Sequence, residues 1–289
     1  MLKTVFLQNT DISATGCVML LGGFDGLHAG HKTLVESAKA YGLPIVATTI
    51  FGGKTEEELF TLSERESLFR AAGVDILFEL PFAEIKDMEA EVFATLLTET
   101  FNPKAFVCGD DFRFGKGAKG NPETLERATR VRVEAKILLT RNGEKISSST
   151  VKKYLAAGEI EKANMLLDEP FFLLGEVERD RGVGKTLGFP TANIAYPTQK
   201  SLLKKGVYET RVILDGKAYQ GVTNFGARPT FGDEKIVTET HILGFDGDLY
   251  GKRLQIRFLR YLRDIQKFDS AERLVEQLRK DVRRVKNDD

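Results

Sequence analysis

The chain has 289 residues, 42% hydrophobic and 29% charged, with 42 basic and 42 acidic side chains. That length exceeds one ordinary domain, the composition excludes disorder, and a formal charge of zero removes any general attraction to nucleic acid. No apolar run approaches the ~18 residues of a membrane span, residues 1–10 lack the pattern of a secretory signal, and Cys17 and Cys108 alone make neither a disulfide framework nor a four-cysteine zinc site. These features predict a cytoplasmic protein acting on small molecules, with no nucleic-acid or membrane partner, as a monomer or weak homo-oligomer.

From the N-terminus to about residue 165, apolar runs alternate with helical patterns, which predicts a parallel α/β sheet of Rossmann-like type. Strands are expected at 18–21, 45–49, 76–80, 105–108 and 131–137, and helices at 32–41, 63–72, 88–101 and 122–129. Ser63 with Glu66 three residues on reads as a capping box for the second helix. Two short helices, 147–157 and 159–167, come next, separated by Gly158.

After Asp168-Glu169-Pro170 the pattern changes to short β-rich runs at 171–177, 206–214, 218–224, 237–243 and 253–258. Asp215-Gly216 has the chemistry of a two-residue hairpin turn. Strands without intervening helices predict an antiparallel barrel or sandwich. A last helix, 270–285, places Leu274, Leu278 and Val282 on one face, and its basic run 279–286 reads as a solvated surface. The boundary falls near residue 168, giving domains 1–168 and 169–289.

Chemistry concentrates first in Gly22-Gly23-Phe24-Asp25-Gly26-Leu27-His28-Ala29-Gly30-His31, between a predicted strand and a predicted helix. A glycine turn leading into a helix start aims backbone N–H groups and a positive helix end at an anion. Two of the chain's three histidines lie here, three residues apart, where imidazole N–H groups can meet phosphate oxygens. A zinc pair would need further ligands, and only His241 and two scattered cysteines remain. Two later stretches can complete the site. Gly109-Asp110-Asp111-Phe112-Arg113-Phe114-Gly115 lies at the carboxyl end of a strand. Ser147-Ser148-Ser149 opens a helix with Lys152 one turn in, which fits either a second anion cradle or plain N-capping.

The densest motif is Gly182-Val183-Gly184-Lys185-Thr186-Leu187-Gly188-Phe189-Pro190-Thr191-Ala192-Asn193. It is not a P-loop, because Arg179 stands where the first glycine belongs and a β-rich segment comes after it. Gly182 and Gly184 can present N–H groups to phosphates with Lys185 nearby, and Thr191 and Asn193 share one side of a strand as neutral oxygen donors suited to magnesium.

Phe24–His31, Gly109–Gly115 and Ile146–Lys152 resemble, in order, the nucleotidyltransferase motifs of bacterial bifunctional riboflavin kinase/FAD synthetases. The segments 182–193, 221–231, 239–243, 246–251 and 267–270 resemble that family's kinase half. The resemblance implies a Rossmann-like nucleotidyltransferase domain followed by a riboflavin kinase-like antiparallel β-barrel with a C-terminal helix. It implies phosphorylation of riboflavin to FMN by ATP with Mg²⁺, then adenylylation of FMN to FAD with release of pyrophosphate. In that reading Gly22, Phe24, His28, Gly30, His31, Ser147, Ser148, Ser149 and Lys152 serve the ATP phosphates, and Asp111 lies toward the flavin or adenine end. Thr191 and Asn193 hold magnesium, Glu239 takes the proton of the ribityl hydroxyl, and Arg263 sits near the flavin. The chain departs from the family where Thr49-Ile50-Phe51-Gly52-Gly53-Lys54 replaces a Thr-Phe-x-Pro-His-Pro segment, where Lys152 replaces an arginine, and where Ile265 replaces a glutamate. The first departure motivates an alternative: a riboflavin kinase with a degenerate or redirected N-terminal domain.

Overall fold

The computed structural model describes residues 2–6, 16–53, 57–137, 140–141, 144–179, 187–228 and 233–286. Contacts divide the chain into two compact units, Met1–Thr150 and Val151–Asp289. This division precedes the expected residue 168. Helix α7 (Ile160–Leu166) belongs to the second unit, because the Asn164 side chain donates to the Phe258 carbonyl and accepts from the Phe171 N–H, both at 2.8 Å. Helix α6 (Ser148–Ala157) joins that unit from Val151 on, its Leu155 carbonyl accepting from the Lys204 N–H at 3.0 Å.

The first unit is a six-stranded sheet of β1 (Lys3–Phe6), β2 (Val18–Leu21), β3 (Ile45–Phe51), β4 (Ile76–Pro81), β5 (Ala105–Gly109) and β6 (Arg132–Lys136). The order is β1-β4-β3-β2-β5-β6 and every pairing is parallel. Helices α1 (Ala29–Lys39), α2 (Leu62–Ala71), α3 (Phe82–Ile85), α4 (Ala90–Phe101) and α5 (Pro122–Thr129) make the crossovers. β2 and β5 are buried along their whole length, which is why they read as unbroken apolar runs. The capping box of α2 is Thr61 with Glu64, not Ser63 with Glu66: Thr61 accepts from the Glu64 N–H, and Glu64 Oε2 accepts from the Thr61 N–H at 2.8 Å. Glu66 lies two residues further in, where it accepts from the Thr4 hydroxyl of β1 at 2.6 Å.

A hairpin of β7 (Thr140–Arg141) and β8 (Glu144–Lys145) precedes α6. The second unit then curls β9 (Phe172–Glu176), β10 (Thr191–Ile194), β11 (Gly206–Leu214), β12 (Lys217–Arg228), β13 (Asp233–Ile242) and β14 (Arg253–Arg263) into an antiparallel half-barrel of order β10-β13-β12-β11-β14-β9. Its edges are stitched where the Glu178 N–H donates to the Asn193 carbonyl at 2.8 Å, and a side chain at Gly175 would collide with Ile194. The predicted hairpin is present: Asp215 and Gly216 adopt φ of 49° and 76°, with Leu214 paired to Lys217. Inside, three buried threonines, Thr210, Thr223 and Thr240, satisfy one another across neighbouring strands at 2.8 Å each. Helix α8 (Ala271–Lys286) packs Val282 and Val285 against Val207, Val222 and Leu262. Asp281, within the run expected to be solvated, is buried, because its carboxylate grips Arg263.

The loop after β5 returns through Gly115 at φ 73°, where a Cβ would fall 2.8 Å from the Ala90 Cα. A side chain there is strained in conformation and also meets backbone that cannot rotate away. Gly115→Ala is therefore expected to destabilise the first unit by about 2–4 kcal/mol, read as a lower urea midpoint.

Candidate active sites in the two units

In the first unit the chain crosses to one side of β2 to build β3 and β4, and to the other to build β5 and β6. Such a reversal leaves a crevice at the carboxyl ends of the central strands. A cavity of about 530 Å³ lies there. The turn after β2 supplies Gly22, Phe24, Asp25, His28 and His31, the loop after β5 supplies Asp111 and Arg113, and the approach to α6 supplies Ser147 and Ser148. Three stretches distant in sequence thus meet in one place. Gly30 is buried within α1, Ser149 is exposed, and neither they nor Lys152 is among the lining residues.

α1 starts at His28 in extended conformation, with no side-chain cap and no acid in its first turn, so its own sequence does not offset its positive end. The His28 and His31 rings stack at 3.5 Å. His31 Nδ1 lies 2.8 Å from the Gly26 carbonyl, which can only accept, so Nδ1 carries the proton. Burial and the neighbouring His28 hold His31 well below the usual histidine range, and it is neutral at pH 7. The Gly22 N–H donates to the Thr48 hydroxyl at 3.1 Å, so this glycine is needed for room rather than as a donor. A Cβ at Gly22 would fall 2.8 Å from the Phe24 ring, which folds back over it. Phe24 itself sits at φ 40°, with its ring edge-on to His31 at 4.6 Å.

Two residues of this region carry no motif. Arg65, on α2, is 1% exposed and lines the cavity. Its Nε donates to the Phe60 carbonyl (2.9 Å), Nη1 to the Thr49 hydroxyl (3.0 Å) and the Ile50 carbonyl (2.7 Å), and Nη2 to Asp25 and Glu58 (2.9 Å each). Every N–H of the guanidinium is matched. Glu79, near the end of β4, is also 1% exposed, and its Oε2 has no hydrogen-bond partner among the described residues. Desolvation first, then the nearby Glu66 and Glu58, push its carboxyl up to about 7 against the pull of Arg65. A charged residue inside the apolar run Ile76-Leu77-Phe78-Glu79-Leu80 was the sequence signal for Glu79; Arg65, in a polar helix start, offers none.

In the second unit the register aligns Asn193, Glu239, Asn224 and Val207 across four strands, with directly paired residues sharing a face. Thr191, two residues before Asn193, donates its hydroxyl to Glu239 Oε1 at 3.0 Å. Thr191, Asn193 and Glu239 are half-buried on the outer face of the sheet, and Asn224 joins them without having been singled out beforehand. His241 pairs with Thr191 and ties its Nδ1 to the Pro190 carbonyl at 2.9 Å. Arg263 Nε and Nη2 grip both Asp281 oxygens (3.0 and 2.8 Å), and Nη1 donates to the Asp264 carbonyl at 3.1 Å. In this geometry Arg263 fastens α8 to the end of β14. Gly182, Gly184 and Lys185 lie outside the described residues, as do Lys54 and Pro229–Phe231.

The FAD synthetase family matches residues 10–150, and the riboflavin kinase family matches residues 167–288. The chain is 32% identical, over 97% of its length and 96% of the relative's, to the bifunctional riboflavin kinase/FMN adenylyltransferase of Haemophilus influenzae. It is 32% identical to the protein of the same name from Bacillus subtilis, over 91% of this chain and 90% of that one. A crystal structure described as a macrolide-efflux protein from Streptococcus pneumoniae superposes with a TM-score of 0.86 at 29% identity, covering 98% of this chain and 99% of that one. No helix among the described residues is long and apolar enough to cross a membrane.

Glu79 gives the first unit a pH signature. A carboxyl raised from 4.5 to about 7 on folding favours the protonated form, so its burial carries little penalty below pH 4.5 and the full one above pH 7. The full penalty is about 3 kcal/mol. Glu79→Gln is expected to raise the unfolding temperature relative to the native protein at pH 8 more than at pH 5. An equal change at both values would show that the carboxyl is not held neutral.

Proposed function

The chain belongs to the bifunctional riboflavin kinase/FMN adenylyltransferase family, and from that premise we propose how its two halves divide the work. The enzyme phosphorylates riboflavin to FMN and adenylylates FMN to FAD. We assign the adenylyl transfer to the first unit and the kinase to the second. The observation that carries the first assignment is the 530 Å³ cavity, where three separated motifs converge on the uncapped end of α1. The alternative of a kinase with a degenerate first domain loses its ground, since both regions match and Gly53 simply lines that cavity.

In the kinase half, Glu239 is the base that takes the 5′-hydroxyl proton of the ribityl chain. A hydroxyl that gives its one proton to Glu239 turns its lone pairs outward, so Thr191, with the Asn193 amide oxygen, fits a hard divalent cation such as Mg²⁺. Bound there, Mg²⁺ would neutralise charge on the ATP phosphates. Gly182, Gly184 and Lys185 are assigned to those phosphates on motif grounds alone. Asn224 lies directly across from Glu239 on the same face of the sheet.

In the adenylyltransferase half, the FMN phosphate oxygen attacks the α-phosphorus of ATP and pyrophosphate leaves. The N-terminus of α1, His28 and His31 face the triphosphate, with Ser147 and Ser148 of the same cavity also meeting it. Asp111 lies at the flavin or adenine end. We place the enzyme in the cytoplasm, where its two buried free thiols stay reduced.

Purified protein given riboflavin, ATP and Mg²⁺ is expected to yield FMN and then FAD by chromatography, and FMN with ATP to yield FAD and pyrophosphate. Glu239→Gln should lower FMN formation by about 100-fold or more while conversion of supplied FMN continues. Absence of FMN from the native protein would overturn the kinase assignment, and absence of FAD from supplied FMN the other.

The state of His31 supplies a further expectation. It is neutral when the cavity is empty, with Nδ1–H donated to Gly26, so donation from Nε2 to a phosphate needs a second proton. ATP binding at pH 7 should take up about one proton, seen as a buffer-dependent binding enthalpy. The difference should vanish in His31→Gln.

A further inference from the structure

We propose that Arg65 is a positioning residue for adenylyl transfer, setting the turn that carries the histidines by holding it against the end of β3 and the 58–60 loop. The proposal rests on the adenylyltransferase reading of the first unit. Arg65 reaches the turn by two routes. One is the direct ion pair to Asp25, whose Oδ1 also accepts from the Leu59 N–H at 2.7 Å. The other runs through Thr49, whose hydroxyl accepts from Nη1 at 3.0 Å and lies 3.2 Å from the Phe24 carbonyl. Phe24 is the residue held at φ 40°, and its ring bears edge-on on His31. A non-glycine residue persists in that conformation only where its surroundings impose it.

Asp25, Glu58, Ile50 and Arg65 itself line the cavity, so the clamp forms part of its wall. Adenylyl transfer depends on aligning an acceptor phosphate with the α-phosphorus of ATP, and a displacement of ~1 Å can lower such a rate ~100-fold. Lysine cannot replace the guanidinium: its three donors radiate from one point, whereas the five acceptors around Arg65 are spread over three chain segments.

The test compares native protein, Arg65→Lys and Thr49→Val in the full-length chain, with FMN and Mg-ATP as substrates. Thr49→Val is nearly isosteric and leaves the ion pairs to Asp25 and Glu58 in place while cutting the route to Phe24. Arg65→Lys is expected to lower kcat for FAD formation by ~100-fold, and Thr49→Val by ~10-fold, each with KM for ATP within about threefold. Unfolding curves recorded alongside identify loss of folded protein, which would lower the amplitude without changing kcat per folded molecule. Should Arg65→Lys fail to fold, Thr49→Val decides alone. Native-like kcat in folded Arg65→Lys, or in Thr49→Val, overturns the positioning role. Native protein that makes no FAD from FMN overturns instead the reading on which the role rests.

Discussion

A guanidinium at 1% exposure is tolerated only if every one of its donors finds an acceptor, and the neighbourhood of the first cavity is arranged around that requirement for Arg65. Two carboxylates, two carbonyls and a hydroxyl are drawn from three stretches of the chain to meet it. Removing one partner would leave a buried ion partly unmatched, so these segments are fixed together rather than singly. The glycine turn therefore has its shape imposed by α2 as well as by its own sequence. The sheet reversal sets where the crevice lies, and the clamp determines the form of its rim.

The second unit uses the same device at a different place. Arg263 grips both oxygens of buried Asp281, while Gln277 donates to that carboxylate at 2.9 Å and Arg284 reaches the Leu262 carbonyl at 2.9 Å. These bonds fix α8 over Val207 and Val222. Val207 ends the row that runs through Asn224 and Glu239 to Asn193, so the helix closes one end of the polar strip. The interior of the half-barrel is occupied by Tyr208, Phe225, Phe258 and the threonine ladder, so Thr191, Asn193, Asn224 and Glu239 share the outer face.

The legible and the hidden parts of the sequence divide along physical lines. β2, β4 and β5 were legible because both their faces are buried, and the 215–216 hairpin because left-handed backbone needs Asp-Gly chemistry. The convergence of Gly22–His31, Asp111 and Ser147 on one cavity was legible because each came after a strand or opened a helix. β1 was not, since Lys3-Thr4-Val5-Phe6 is short and lies at the sheet edge. Asp281 and Arg65 were missed for one shared reason. A charge on a helix ordinarily points to water, and only a partner distant in sequence reveals that it does not: Arg263 is 18 residues from Asp281, and Asp25 is 40 from Arg65. The α2 cap slipped by two residues because Ser63 and Thr61 both present the right spacing to an acid, and Glu66 answers to β1 instead.

His31 and Glu79 give the first unit a common electrostatic logic. In the unfolded chain between about pH 4.5 and 6.5, the histidine is charged and the glutamate ionised. Folding favours the neutral form of each, so His31 releases a proton and Glu79 takes one up. The two linkages oppose. The neutral preference of His31 lowers stability as pH falls below 6.5, whereas that of Glu79 lowers it as pH rises from 4.5 toward 7. Across that interval the two contributions have opposite signs, because folding discharges one group of each kind. A phosphate ligand breaks the balance in one direction only. Held in the cavity that His31 lines, it would stabilise the imidazolium and would do nothing comparable for a carboxyl in the sheet. Of the two groups that folding keeps neutral, His31 is thus the one that an anionic substrate in that cavity would recharge.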